Sequence, residues 1–287
     1  MKILALSDFH GSFPSFIKKV IKKEKVDVVV SVGDYPTSTK LKEIIKNFGF
    51  YRGFEGWEVI GVKKYKELFN KDIRNGKKVI DKLNDLDVLV VSTIGNHDYP
   101  YPDDLRDDED EEEDWDWALK KVNELPNYVK KKRNIRKIDY SYARVGGYVF
   151  VGMRGHSNPG KVKSEAYRKH KKILEEIFRK FKKENREGKL IFVSHNSPYE
   201  TKLDKITSKD APEEVRGKHY GSKMAKRVLR KWQPVLSISG HIEEGKGKDK
   251  IGKTVAVNCG SVQNGDYALI ELNDKTGKVS RVRFGKS

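Results

Sequence analysis

Short apolar runs rich in valine and isoleucine recur along the chain, each closed by glycine or a polar residue. They occupy residues 2–7, 27–33, 88–94, 189–194 and 235–239. Near-continuous apolar runs bounded by turn residues predict strands buried on both faces. Between them the apolar positions fall on one side of a 3.6-residue period. Residues 164–184 show it best, with Ile173, Leu174, Ile177, Phe178 and Phe181 sharing a face among lysine, arginine and glutamate. Residues 14–24, 72–84 and 221–232 are predicted as further helices. A hairpin is expected over 140–153, turning at Gly146-Gly147. Three more strands are expected within 253–284, the last two joined by a DKTGK turn. Strands alternating with helices, followed by a β-rich end, predict an α/β fold of two packed sheets with helices outside. No repeat or linker divides the pattern, so residues 1–287 are expected to form a single domain.

Composition adds limits. Charged residues make up 36% of the chain and hydrophobic residues also 36%, against about a quarter charged in an average soluble protein. The surplus of lysine and glutamate resembles the ion-pair surfaces of thermophile proteins. The formal net charge is +18. Such a balance attracts nucleic acid, nucleotides or anionic lipid, and a lysine-coated thermophile surface is the plainer explanation. One cysteine, Cys259, forms no internal disulfide and fits a reducing interior. No apolar stretch approaches the roughly 20 residues of a membrane span, and the N-terminus runs straight into polar motif residues, so a soluble, cytoplasmic protein is expected. The acidic run at 103–116 reads as a solvated surface insertion, or less simply as a lid or partner-binding loop.

The chemistry lies where polar residues follow the strands. The first strand leads into Ser7-Asp8-Phe9-His10-Gly11, the second into Gly33-Asp34, the third into Gly95-Asn96-His97-Asp98. Later strands lead into Ser194-His195 and Gly240-His241-Ile242-Glu243. In open α/β sheets, ligands collect at the carboxyl ends of strands. Oxygen donors mixed with imidazole, and no thiolate, suit manganese, iron, zinc, cobalt or nickel better than calcium or a closed structural zinc site. Each motif alone is weak; their order and placement together are specific.

These motifs, DFH, GD, GNHD, SH and GHIE, resemble those of the calcineurin-like metallophosphoesterases from Met1 to about Gly260. The segments HNSPYETKLD, KHYGSKMAKRVLRKWQP, SGHIEEGKG and VNCGS are most similar to small prokaryotic, particularly archaeal, members. The resemblance implies a four-layer α-β-β-α sandwich of two mixed sheets flanked by helices. It also implies two divalent cations, manganese first, with iron, zinc, nickel or cobalt as alternatives. Asp8 and His10 would hold one, Asp34 would bridge, and Asn96, His195 and His241 would complete the other. Two cations about 3.5–4 Å apart generate a bridging hydroxide and clamp phosphoryl oxygens. His97 would protonate the leaving alkoxide or stabilise developing charge. Asp98 would orient His97 and raise its pKa.

One position departs from the family pattern. Where the last motif usually carries a second histidine, this chain has Glu243, an oxygen donor able to ligate the same cations. Weaker candidates are His219, Asn196, Tyr199, Arg154 and His156 near substrate, while His170 reads as structural. The aromatic stretch Phe48, Phe50, Tyr51, Phe54 and Trp57 reads as loop packing, with base stacking or a dimer contact as the sharper alternative. Hydrolysis of a phosphomonoester or phosphodiester is the first functional expectation, with a small phosphoester or nucleotide as substrate. A metal-depleted interaction module, suggested by Glu243 alone, is the second. A DNA or RNA nuclease guided by the basic surface ranks third, because the chain lacks the length for a separate large cap.

Overall fold

The structure is a computed structural model and describes residues 1–36, 56–98, 123–155, 165–184, 189–209, 211 and 213–287. The acidic run 103–116, His156 and the aromatic residues Phe48, Phe50, Tyr51 and Phe54 lie outside the described residues.

Four strands of the first sheet run parallel: β1 (Lys2–Leu6), β2 (Val28–Ser31), β3 (Val90–Ser92) and β4 (Ile135–Lys137). The second sheet contains β5 (Tyr142–Val145), β6 (Tyr148–Met153), β7 (Leu190–Asn196), β8 (Leu236–Gly240), β9 (Gly247–Ile251) and β10 (Thr254–Asn258). The chain then returns to the first sheet as β11 (Asp266–Leu272) and β12 (Val279–Lys286). The orders are β12-β11-β1-β2-β3-β4 and β5-β6-β7-β8-β10-β9. Both sheets are mixed: β11 runs antiparallel to β1, while β5 and β9 are antiparallel edges on the parallel set β6, β7, β8 and β10.

The strand period of two explains the layers. In β1, Ile3 and Ala5 join Val28, Val30, Phe150, Ile191, Val193 and Ile238 in a core drawn from both sheets. Leu4 and Leu6 point the other way, into a core with Phe16 and Ile17 of helix α1 (Phe16–Glu24) and Phe69, Ile73 and Ile80 of helix α2 (Val62–Asn84). Leu125 and Val129 of helix α3 (Glu124–Lys130) close that layer. On the outer face of the second sheet, Val149, Val151 and Phe192 pack on Leu174, Phe178 and Phe181 of helix α4 (Glu165–Lys183) and Val228 and Leu229 of helix α5 (Lys223–Trp232). Each sheet is therefore buried on both faces, which is the expected α-β-β-α sandwich. No helix among the described residues is long and apolar enough to cross a membrane.

Candidate metal centre

The backbone leaves regular geometry where the motif residues begin. Among the described residues nine non-glycine residues have positive φ, and four are predicted ligands: Asp8 at 53°, His10 at 46°, Asp34 at 59° and His241 at 70°. Each left-handed non-glycine residue costs on the order of 1 kcal/mol or more, and such strain concentrates where side chains must be aimed. Here it turns the chain sharply past the ends of β1, β2 and β8, so that side chains from different strands meet. Gly95 and Gly240 permit the close approach. A Cβ on Gly95 would overlap the Asp34 carboxylate, and one on Gly240 would overlap Ser7 and Asp8.

Two overlapping clusters result. Asp8, His10 and Glu243 each offer a donor atom within 4.8 Å of the others, and so do Asp8, Asp34 and His195. Nε2 of His10 lies 3.7 Å from Oδ1 of Asp8 and 3.2 Å from Oε1 of Glu243. Nε2 of His195 lies 3.5 Å from Oδ2 of Asp34 and 2.8 Å from Oδ1 of Asn96. The ring of His241 meets that of His195 edge-on at 5.0 Å, and its backbone N–H donates to Asp8 Oδ2 at 3.0 Å. The rings of His10 and His97 lie 5.7 Å apart, and the His97 N–H donates to Asp34 Oδ1 at 2.8 Å. All predicted ligands thus gather at one edge of the two sheets.

The opposite edges of two imidazoles fix what the inner edges can do. Nδ1 of His195 donates to the Val32 carbonyl at 2.7 Å, and Nδ1 of His10 to the Pro36 carbonyl at 3.4 Å. A neutral imidazole whose Nδ1 carries the proton presents a lone pair at Nε2. Lone pairs on His10 and His195 therefore face carboxylate and amide oxygens, acceptor against acceptor. A proton or a cation must lie between them, and backbone-anchored imidazoles of this kind are the usual support of metal ligands. The donor set fits divalent cations.

The electrostatics of the metal-free centre agree. Burial would lower the pKa of His195, but the Asp34 and Asp8 carboxylates outweigh it and push it up to about 9. His241 is pushed the other way, to about 3, by burial and by neighbouring His195. Burial also raises Asp8, aided by Asp34 and only partly opposed by His195. Asp34 is held well below the carboxylate range because His195 and His97 outweigh the cost of its burial. One buried proton on His195 thus stands where a cation would neutralise the carboxylates.

Asp98 departs from the orienting role expected of it. Oδ2 accepts from the N–H groups of Asp34 at 2.9 Å and Gly95 at 2.7 Å, and Oδ1 from Tyr35 N–H at 2.7 Å. Its carboxylate ties the loop after β2 to the loop after β3 and holds the backbone beneath His97. Burial and the nearby Asp34 charge raise its pKa to about 7 against these three donors.

The secondary candidates separate. His219 donates from Nδ1 to the buried Asp204 at 2.8 Å, with its side chain 32% exposed and the Tyr199 ring 6.3 Å away. Asn196 is buried at the end of β7, and Arg154 is half-buried just past β6. His170 stacks on Tyr140 at 3.8 Å, a packing role. Sequence reasoning missed Asn258. Its buried amide reaches the carbonyls of Leu203, Gly240 and Ile242 and the Ser197 hydroxyl at 2.8–3.3 Å, bracing both sides of His241. Its position at the end of β10 was the available signal.

The family model described as metallophosphoesterase, calcineurin superfamily, matches residues 1–282. The chain belongs to this family. A curated relative of this metallophosphoesterase, uncharacterized protein MJ1162 of Methanocaldococcus jannaschii, is 27% identical over 261 residues, covering 90% of this chain and 87% of that one. A solved crystal structure superposes with a TM-score of 0.65 at 21% identity, over 99% of this chain and 98% of the other. TT1561 of Thermus thermophilus aligns at 14% identity with a TM-score of 0.49, over 99% and 98% of the two chains. The superposition at 0.65 agrees with the two-sheet fold.

Proposed function

We propose that this metallophosphoesterase hydrolyses phosphomonoesters or phosphodiesters of small molecules at a centre of two divalent cations, manganese first. The observation that carries the reading is the acceptor-only cluster, in which Nε2 of His195 and His10 face Asn96, Asp34, Asp8 and Glu243 at 2.8–3.7 Å. Asp8, His10 and Glu243 would hold one cation. Asn96, His195 and His241 would hold the other, with Asp34 shared. When bound, such a pair supplies Lewis-acid charge to phosphoryl oxygens and makes water nucleophilic at neutral pH.

The protein's own residues do the remainder. His97 is half-buried beside the cluster, fixed through its backbone N–H on Asp34. In that position the imidazole holds a proton for the leaving alkoxide and places positive charge beside the phosphoryl group. Asp98 keeps the His97 backbone in place, and Asn258 does the same for His241.

The test is release of p-nitrophenol from p-nitrophenyl phosphate and bis-p-nitrophenyl phosphate with added manganese. Turnover abolished by Asp34→Ala supports the reading, and the preferred substrate distinguishes monoesterase from diesterase. No turnover with any divalent metal would favour a non-catalytic interaction module instead.

A further inference from the structure

Glu243 occupies the place where the family pattern leads one to expect histidine, and it has a neighbour without an assigned task. Its two oxygens are divided. Oε1 faces Nε2 of His10 at 3.2 Å, and Oε2 accepts from Nδ2 of Asn264 at 2.8 Å. The Glu243 side chain is 29% exposed. The Asn264 hydrogen bond thus engages Oε2 and leaves Oε1 directed at the His10 side of the cluster.

Asn264 ends a short turn, Val262–Asn264, that is fastened to the first motif. Val262 N–H donates to the Ser7 carbonyl at 2.8 Å and Gln263 N–H to the Asp8 carbonyl at 3.3 Å. The Ser261 hydroxyl donates to the same Asp8 carbonyl at 3.1 Å. One turn therefore carries the backbone of Asp8 and the side chain of Glu243 together. Those two carboxylates, joined by His10, form one of the two donor clusters.

We propose that Asn264 is a positioning residue that fixes Glu243 as a one-oxygen metal donor and so makes this cation position oxygen-rich. Asp8 and Glu243 contribute carboxylate oxygens there against the single imidazole of His10. The companion position draws two imidazoles, from His195 and His241, with the Asn96 oxygen. Oxygen-rich positions suit manganese or magnesium, while imidazole-rich ones suit zinc. The two halves of the centre are thereby chemically unequal. The inference rests on the phosphoesterase reading only in taking Glu243 as a metal donor.

Calorimetric titration of the metal-free full chain with Mn²⁺ or Zn²⁺ separates the cases. The proteins compared are wild type, Asn264→Ala, Glu243→Ala, Glu243→His and the double variant Glu243→His/Asn264→Ala. Asn264 is exposed, so the metal-free Asn264→Ala protein is expected to melt with wild type. It should bind Mn²⁺ about five- to tenfold more weakly at one position, the worth of one charge-assisted hydrogen bond, and normally at the other. In the Glu243→His background the same change should alter neither affinity, and Glu243→His alone should shift that position toward Zn²⁺. Unchanged Mn²⁺ binding by Asn264→Ala, while Glu243→Ala weakens one position, would overturn the role of Asn264 alone. An equal loss in the Glu243→His background would also overturn it, since the turn would then act without the carboxylate. Glu243→Ala with both affinities intact would instead remove Glu243 from the centre, and the reading beneath the proposal would fail first.

Discussion

Nε2 of His10 lies 3.2 Å from Oε1 of Glu243, with Asp8 Oδ1 3.7 Å from the same nitrogen. The residue that breaks the family pattern thus stands among the residues that keep it. Glutamate at this position joins Asp8 and His10 in a cluster that could hold a cation, and under the proposed function restoring histidine should preserve metal binding while changing which metal is preferred. Glu243→His is expected to retain hydrolysis and to move the optimum from manganese toward zinc, read from rates across a series of divalent metals. An unchanged metal profile would count against Glu243 as a donor.

His97→Ala should separate catalysis from metal binding. Its backbone, not its ring, is bonded to Asp34, so truncation leaves the donor cluster in place. The expected result is a fall in kcat of about 10²- to 10⁴-fold, the usual worth of a positioned proton donor. Metal content measured by elemental analysis should stay at the wild-type value. Loss of metal together with activity would assign His97 to the donor set instead.

The metal-free protein should lose stability as the pH rises from about 7 to 9. His195 is raised to about 9 from an ordinary 6.5, so the folded state holds a proton that the unfolded state releases in that window. The stabilisation is complete below about pH 6.5 and is lost as the pH climbs through about 9. Asp98, raised to about 7, acts in the same sense at lower pH, and His241, lowered to about 3, has finished its opposing change by about 6.5. A divalent cation held by His195, as the proposed function has it, would displace that proton. The difference in Tm between metal-loaded and metal-free protein should therefore widen from pH 7 to 9, and a constant or shrinking difference would contradict it.

Asn258→Ala removes an amide that reaches three carbonyls and a hydroxyl, all buried. Leaving such acceptors unpaired costs on the order of 2–4 kcal/mol, measurable by urea denaturation of the metal-free protein. Metal affinity should fall as well, because Gly240 and Ile242 flank His241. A change within 0.5 kcal/mol or so, the scale of ordinary surface substitutions, would show that His241 is held by other means.

Much of this architecture was legible because its central strands are buried on both faces. Runs such as VVVS in β2 and LIFVSHN in β7 are wholly buried, and apolar continuity announces them. The strands β4 (IRK) and β9 (GKDKI) escaped notice since both are sheet edges with polar, partly exposed faces. Helix α2 begins at Val62, ten residues before the expected start, because lysines dilute the stripe made by Tyr65, Leu68 and Phe69. Helix α3 was not expected either: it spans only seven residues and carries Pro126 in its first turn, where proline is tolerated. That Asp8, His10, Asp34, His195 and Glu243 come together was readable from their positions after strands. The direction of Asp98, in the short turn Asn96–Asp98, was not, because a carboxylate beside a histidine in sequence need not face it. Asn258 and Asn264 act across long stretches of chain, through hydrogen bonds that no local spacing encodes.

Anomalous diffraction from manganese-soaked crystals tests the dinuclear centre most directly. Two peaks about 3.5–4 Å apart are expected, one bounded by Asp8, His10 and Glu243, the other by Asn96, His195 and His241, with Asp34 between them. A single peak beside His195 and His241, with nothing near Asp8, His10 and Glu243, would contradict it.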